Sequence, residues 1–278
     1  MTESDFTQIR ELETICNQAE RIAVKLNWGL MKMREPGKTS DFCHYAQGKL
    51  VGYMPLDGFG DQFEITAIVH PNYRRRGIFK QLFAAAKEEA IRRNAVRLLL
   101  VNYRNSVSGN ALVAALGLPY HNSEYHMETD RTMLSALPAS QINLLDVTAA
   151  NVADLSQSLA ATFGEGRWNS EAELLADLAR EDGKYFLATV DGTLLGQIGV
   201  VTDDNEVYVR AVGIVPQWRG HGYGRQLLSA LVQKMLAEGF SRFALDVETA
   251  NRNALSLYQS CGFQESNVYD YYIVPFAA

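Results

Sequence analysis

The chain has 278 residues, 47% of them hydrophobic and 21% charged, and carries a formal net charge of −6. That length suits two domains of about 140 residues, each large enough for an apolar core of its own. An acidic total argues against general nucleic-acid binding, and no apolar run approaches the ~20 residues a membrane helix requires.

The first residues, Met1-Thr2-Glu3-Ser4-Asp5-Phe6, include two acids and no apolar stretch, so no secretory signal is expected. Cys16, Cys43 and Cys261 are too few and too scattered for a disulfide framework, and none belongs to a C-x-x-C pair suited to a metal or redox centre. A cytoplasmic chain with no metal and no nucleic-acid or membrane partner is the expectation.

In the first half, periodicity predicts a strand over 65–69, a helix over 79–93, a strand over 96–103, a helix over 108–116 and a strand over 120–129. The stretch Leu134 to Gln141, with Pro138, reads as a linker and sets domains at 1–134 and 135–278. Then come a short strand over 142–146 and helices over 152–163 and 170–180, the second opened by Ser170 with Glu173 three residues on. Strands over 185–190 and 194–201 flank an Asp191-Gly192 turn, and a third spans 206–215. The helix over 225–238 carries Leu227, Leu228, Leu231, Val232, Met235 and Leu236 at helical spacing and closes at Gly239. A strand over 243–248, a helix over 253–260 and a strand over 268–274 complete the chain. The fold class is α/β, an α+β arrangement with mixed sheets.

The two halves repeat one another. A shift of 145 positions lays Pro71 over Pro216, Arg74 over Arg219, Gly77 over Gly222, Leu82 over Leu227 and Gly117-Leu118 over Gly262-Phe263. Upstream the shift is 144, matching Gly48-Lys49-Leu50-Val51-Gly52 to Gly192-Thr193-Leu194-Leu195-Gly196. A one-residue length change is expected in the intervening hairpin, because loops tolerate one.

The segment from Val212 to Arg225 joins a strand to an amphipathic helix. A helix start offers N–H groups without intrahelical partners and a partial positive charge, which together attract anions. Gly220, Gly222 and Gly224 let the backbone approach a pyrophosphate, while Arg219 and Arg225 add charge. The spacing G-x-G-x-G departs from the dinucleotide pattern G-x-G-x-x-G, and no G-K-[ST] follows to make a P-loop. A tight turn with no ligand is the alternative for such a loop taken alone.

Two motifs together resemble the GNAT acetyltransferase superfamily. Arg219-x-x-Gly222-x-Gly224 matches its acyl-CoA loop, and Asn251, Ala254, Leu257, Tyr258, Gly262 and Phe263 match its downstream pattern Asn-x-x-Ala-x-x-Leu-Tyr-x-x-x-Gly-Phe. The resemblance spans Ile142 to Pro275 and, more weakly, most of the first half, implying two tandem GNAT folds. It implies acetyl-CoA as co-substrate, with the backbone of Val212, Gly213 and Ile214 along the pantetheine arm. Gly220, His221, Gly222, Tyr223, Gly224 and Arg225 would hold the pyrophosphate, and Asn251, Ala254 and Tyr258 would flank the thioester.

Amide formation from a thioester needs a neutral amine, a stabilised oxyanion and a proton for the thiolate. Tyr258 aligns with the family's proton donor. Asp246 and Glu248 alternate on one strand and share a face. Asp246 lies twelve residues before Tyr258, where the similar ribosomal-protein alanine acetyltransferases carry a basic glutamate, so the shorter side chain suggests a water relay. Glu248 and Glu206 are further candidates for the base, and each of these acids could instead be a solvated strand-end charge.

The first half has Phe79 at the position of Gly224, Val101 at Asp246, Tyr103 at Glu248, Ser106 at Asn251 and Val113 at Tyr258. Arg74, Arg75, Arg76 and Gly77 keep a basic loop at a helix start, so a cofactor could still bind, but catalysis there is not expected. His121 and His126, on the closing strand, read as ordinary residues rather than bases. The expected activity is direct acetyl transfer to a primary amine in a ternary complex, with the second half active. The acceptor would be a small molecule or a protein N-terminus or lysine. The alternative is a non-catalytic acyl-CoA-binding regulatory module, which would have no need of Tyr258 and Asp246.

Overall fold

The computed structural model describes every residue except 1, 33, 35, 36, 131, 133, 135, 136, 138, 165–169, 181, 277 and 278. Ser135, Ala136 and Pro138 of the expected linker therefore lie outside the described residues. In chain order the elements are α1 (Glu3–Glu20), α2 (Trp28–Lys32), β1 (Asp41–Ala46), β2 (Lys49–Phe59), β3 (Gln62–Ile65), β4 (Ile68–Val69), α3 (Ile78–Arg92), β5 (Arg97–Tyr103), α4 (Val107–Leu116) and β6 (Tyr120–Asp130). The second repeat follows with β7 (Asn143–Asp146), α5 (Val152–Phe163), α6 (Glu171–Leu178), β8 (Gly183–Val190), β9 (Thr193–Asp203), β10 (Glu206–Ile214), α7 (Tyr223–Ala237), β11 (Arg242–Glu248), α8 (Arg252–Ser260) and β12 (Gln264–Ile273).

The chain forms two compact units, one of residues 1–124 and 267–278, the other of residues 125–266. These units do not coincide with the sequence halves 1–134 and 135–278. The chain leaves the first unit within β6 and returns to it within β12, so each repeat gives part of its last strand to the other unit.

In the first unit the sheet order is β1-β2-β3-β5-β12, with β4 also pairing β2. Strands β3 and β5 run parallel, while β12 lies antiparallel to β5. Leu56, Ile65, Leu98 and Leu100 pack with Ile78, Leu82, Ala86 and Ala90 of α3. In the second unit the order is β6-β11-β10-β9-β8-β7, with β10 and β11 parallel. There Phe243, Leu245 and Val247 alternate along β11 and bury against the apolar stripe of α7. Each such buried side chain contributes about 1.5–3 kcal/mol of transfer free energy.

Local signals set the helix ends. Ser170 and Glu173 form the expected capping box on α6, and Thr2 and Asp5 form another on α1. Gly239, just past α7, has φ of 102°, a conformation glycine adopts without cost.

The repeat persists at atomic detail. Gly77 and Gly222 cap α3 and α7 with φ of 81° and 79°. Arg74 Nε donates to Val69 O at 3.0 Å, and Arg219 Nε to Ile214 O at 2.8 Å. Ser106 caps α4 by accepting from Gly109 N at 3.0 Å, and Asn251 caps α8 by accepting from Ala254 N at 3.2 Å.

The one-residue length change does not lie in the hairpin. Gln62 pairs Arg97 as Glu206 pairs Arg242, and Tyr53 pairs Ile68 as Gln197 pairs Gly213. Between these points the first repeat keeps one register, Leu56 to Ile65 and Tyr53 to Ile68, and only the ladder between β3 and β4 is interrupted, where Pro55 lacks an N–H. In the second repeat the register shifts between Arg210 and Gly213, so the extra residue is a β-bulge inside β10.

Residues 125–130 of β6 belong to the second unit and neighbour β11. A chain of residues 135–278 would lack this strand and leave β11 with an open edge. We expect it to aggregate or to lose its cooperative thermal transition by circular dichroism, and co-expression with residues 1–134 to restore that transition. A cooperatively folded 135–278 fragment would contradict this.

Candidate active site

Strands β10 and β11 pair only over Glu206–Tyr208 and Arg242–Ala244. Beyond these residues they part, so the β11-facing edge from Val209 to Ile214 has no ladder partner there among the described residues. Within this stretch the bulge residue Ala211 has φ of 52°, and Val212 follows it out of register with β9. A left-handed conformation costs a residue with a Cβ roughly 1–2 kcal/mol. Gly213 and Ile214 then rejoin β9 opposite Gln197 and Gly196.

The loop after β10 leads into α7. Gly220 and Gly222 have φ of 80° and 79°, and a Cβ at either would meet nothing within 4 Å. Their left-handed backbone, rather than crowding, is what favours glycine. Gly222 caps α7 without a side-chain bond, which leaves the first-turn N–H groups of Tyr223, Gly224 and Arg225 for an outside acceptor. Gly224 serves packing: its Cβ would come within 3.1 Å of Leu257. Arg219 is anchored, donating to Ile214 O and, at 3.1 Å, to Thr162 O. His221 Nδ1 lies 2.8 Å from Arg219 O, and Arg225 is exposed. Open space, free donors and an exposed cation at one helix start fit a phosphorylated ligand.

Asn251 and Ala254 are placed first of all by the cap they form on α8. Four residues on, Tyr258 is buried at 7% exposure, its ring 6.1 Å from that of Phe263. Its hydroxyl makes no hydrogen bond among the described residues. Burial, helped by Cys261, pushes its pKa up to about 12, so it stays protonated at neutral pH and can donate.

Asp246 is not isolated. His126 Nδ1 lies 2.6 Å from Asp246 Oδ1, and His126 Nε2 lies 3.3 Å from Glu128 Oε1. Burial works against the imidazolium, but the hydrogen bonds to Asp246 and then Glu128 outweigh it and raise the pKa to about 9. At neutral pH a cation thus bridges two carboxylates. Glu248 is exposed at the end of β11, and Glu206 lies 3.9 Å from Arg242 at the start of β10. The pattern around His126 gave no sign of this role, because its partner lies 120 residues away and meets it only through the placement of β6 beside β11. His121, by contrast, lies exposed beside Arg97.

The first unit holds a cavity of about 490 Å³ at the equivalent place, lined by Arg74, Val101, Ser106 and Val113 among others. Glu20 spans one side of it, accepting from Arg74, from Ser106 Oγ at 2.8 Å and from Ser108 N at 3.2 Å. With Val101 and Val113 at two of its walls, no proton-transferring side chain stands where Asp246 and Tyr258 stand in the second unit.

The raised pKa of His126 makes its contribution pH-dependent. A folded pKa of about 9 against an ordinary 6.5 gives stability fully present below pH 6.5 and lost as pH rises through 9. The destabilisation caused by His126→Asn should therefore shrink by roughly 3 kcal/mol between pH 6 and pH 10, measured by urea unfolding of both proteins. A pH-independent difference would show that the pair carries no net charge coupling.

The chain matches the model of the acetyltransferase (GNAT) family twice, over residues 6–114 and 152–263. A mycothiol acetyltransferase of Thermomonospora curvata is 27% identical over 284 residues, covering 95% of this chain and 91% of the relative. Another, of Kineococcus radiotolerans, is 31% identical over 248 residues, covering 83% and 80%. Among solved structures, a tandem GNAT protein from the clavulanic acid biosynthesis pathway superposes with a TM-score of 0.71 at 20% identity, covering 99% of this chain and 97% of its own. With one family match on each repeat, and with mixed sheets and helices repeated as the structure shows, this chain belongs to the GNAT acetyltransferase family as a tandem, two-repeat member.

Proposed function

We propose that the protein is an acetyl-CoA-dependent N-acetyltransferase whose second repeat performs the transfer to a primary amine. The observation that carries this reading is the conjunction, at one end of β10 and β11, of a helix start without a side-chain cap, an unpaired strand edge and a buried, protonated tyrosine. The first two suit an acyl donor bearing phosphates and amides: the loop from Gly220 to Arg225 would take the pyrophosphate, and the Val212 to Ile214 backbone would pair with the pantetheine arm. Bound acetyl-CoA supplies the activated acetyl group.

The chain's own residues then divide the remaining work. Tyr258 would give its proton to the departing thiolate and retake one as the phenol is restored. The Asp246 carboxylate, held by His126, would accept the amine's proton through a water, with Glu248 or Glu206 as alternatives. Relatives named for mycothiol make a small-molecule amine the favoured acceptor class, ahead of a protein terminus or lysine. The three free thiols fit a cytoplasmic setting.

The first repeat reads as the non-catalytic half. Its cavity supports ligand binding, while Val101 and Val113 cannot move protons.

Two substitutions test the assignment. Gly222→Val forces a β-branched residue into a left-handed conformation at the helix start, and calorimetry should show loss of CoA binding at the second repeat with the fold retained. Unchanged binding would remove the loop from the site. Tyr258→Phe keeps the ring and should lower turnover about 10²–10⁴-fold, with acetyl-CoA affinity nearly constant. Unaltered turnover would reduce Tyr258 to packing.

A further inference from the structure

Gln197 lies in the middle of β9 with no exposed surface, a costly place for a primary amide unless its hydrogen bonds are made. They are made. Its Oε1 accepts from Ser158 Oγ at 2.5 Å, and its Nε2 donates to Thr162 Oγ1 at 3.0 Å and to Ala211 O at 3.2 Å. Ser158 and Thr162 lie one turn apart on α5, so the helix fixes which way the amide faces. The third partner is the carbonyl of the left-handed bulge residue.

The surrounding glycines show how closely the parts interlock. A Cβ at Gly213 would come within 2.3 Å of Gln197 Nε2, and a Cβ at Gly196 within 2.0 Å of Gly213 O. Both positions must be bare for the amide to pass under the bulge and for the strands to approach.

None of this exists in the first repeat. Tyr53 occupies the position of Gln197 and donates to Asp41 Oδ1 at 2.5 Å, and the register there continues without an added residue. Neither Thr66 nor Ala67 has a positive φ. The inserted residue, its strain and the buried amide therefore occur together, in the repeat that holds Tyr258 and Asp246. Strained backbone persists only where its surroundings over-determine it, and it concentrates at functional sites.

We infer that Gln197 is a positioning residue of the acyl-donor cleft, holding Ala211 in its left-handed conformation so that the Val212 to Ile214 backbone presents its free edge to the donor. This rests on the proposed assignment of that cleft to the second repeat. Without the amide, the Ala211 carbonyl loses its donor and the strained residue relaxes toward an extended conformation. The ladder edge would then turn away from the cleft.

The test is CoA binding to the full chain by calorimetry, with thermal unfolding alongside. Gln197→Leu should weaken binding at the second repeat about tenfold, the equivalent of one buried hydrogen bond. Ala211→Gly adopts the left-handed conformation without strain, so the double variant should regain most of the lost affinity, an outcome that simple loss of core packing would not produce. Ala211→Val, with Gln197 intact, should weaken CoA by a similar factor and covers the case in which Gln197→Leu does not fold. Normal CoA affinity in Gln197→Leu or Ala211→Val, in a protein where Gly222→Val abolishes binding, would overturn the inference and leave the site assignment standing. Binding unaffected by Gly222→Val as well would overturn both.

Discussion

The second unit is organised around the parting of two parallel strands. Parallel neighbours at the centre of a sheet ordinarily stay paired along their length, since each unmade ladder bond leaves a backbone donor or acceptor without its partner. Here β10 leaves β11 after three residue pairs, and the bulge at Ala211 turns its backbone while β9 holds it from the other side. Other features of the site depend on that departure: the free edge it creates, the loop that follows, and the helix start to which the loop leads. Arg219 ties the structure together by donating both to the end of β10 and to the last turn of α5.

The exchange of strand segments is a second constraint of wide reach. Because β6 begins in one unit and ends in the other, the second unit's sheet is completed by the first repeat. It delivers His126 and Glu128 to the face of β11 that carries Asp246, where a charged imidazole holds two carboxylates that would otherwise repel. The boundary between the repeats is thus not the boundary between the units.

Duplication followed by divergence is recorded in paired details. Helices α3 and α7 start on glycines with nearly the same backbone angles, and the arginines before them make the same bond. Where the repeats differ, they differ together: Val113 for Tyr258, Val101 for Asp246, Tyr53 for Gln197, and a regular register for a bulge. One side keeps a cavity bridged by Glu20, while the other keeps the Ala211 bulge with Asp246 and Tyr258. These linked differences support the proposal of one catalytic and one non-catalytic half.

Much of this was legible in the amino-acid sequence alone. Helix 152–163, the Ser170–Glu173 cap, the Gly239 stop and the glycine loop depend on neighbours within a few residues, and the two anchor motifs recur at a fixed spacing, so local pattern determined the fold and its duplication. Three features required the tertiary structure. The added residue lies between the same anchors whether it is in the hairpin or the strand, and only the pairing with β9 distinguishes the two. Asn251 and Ala254 match a family motif equally well as ligand contacts or as a helix cap, and only the 3.2 Å bond shows the cap. Asp246 stands 120 residues from His126 along the chain, and the partners of Gln197 stand 14 or more residues from it. No periodicity joins such residues, because the strand exchange and the bulge that bring them together are properties of the assembled sheet.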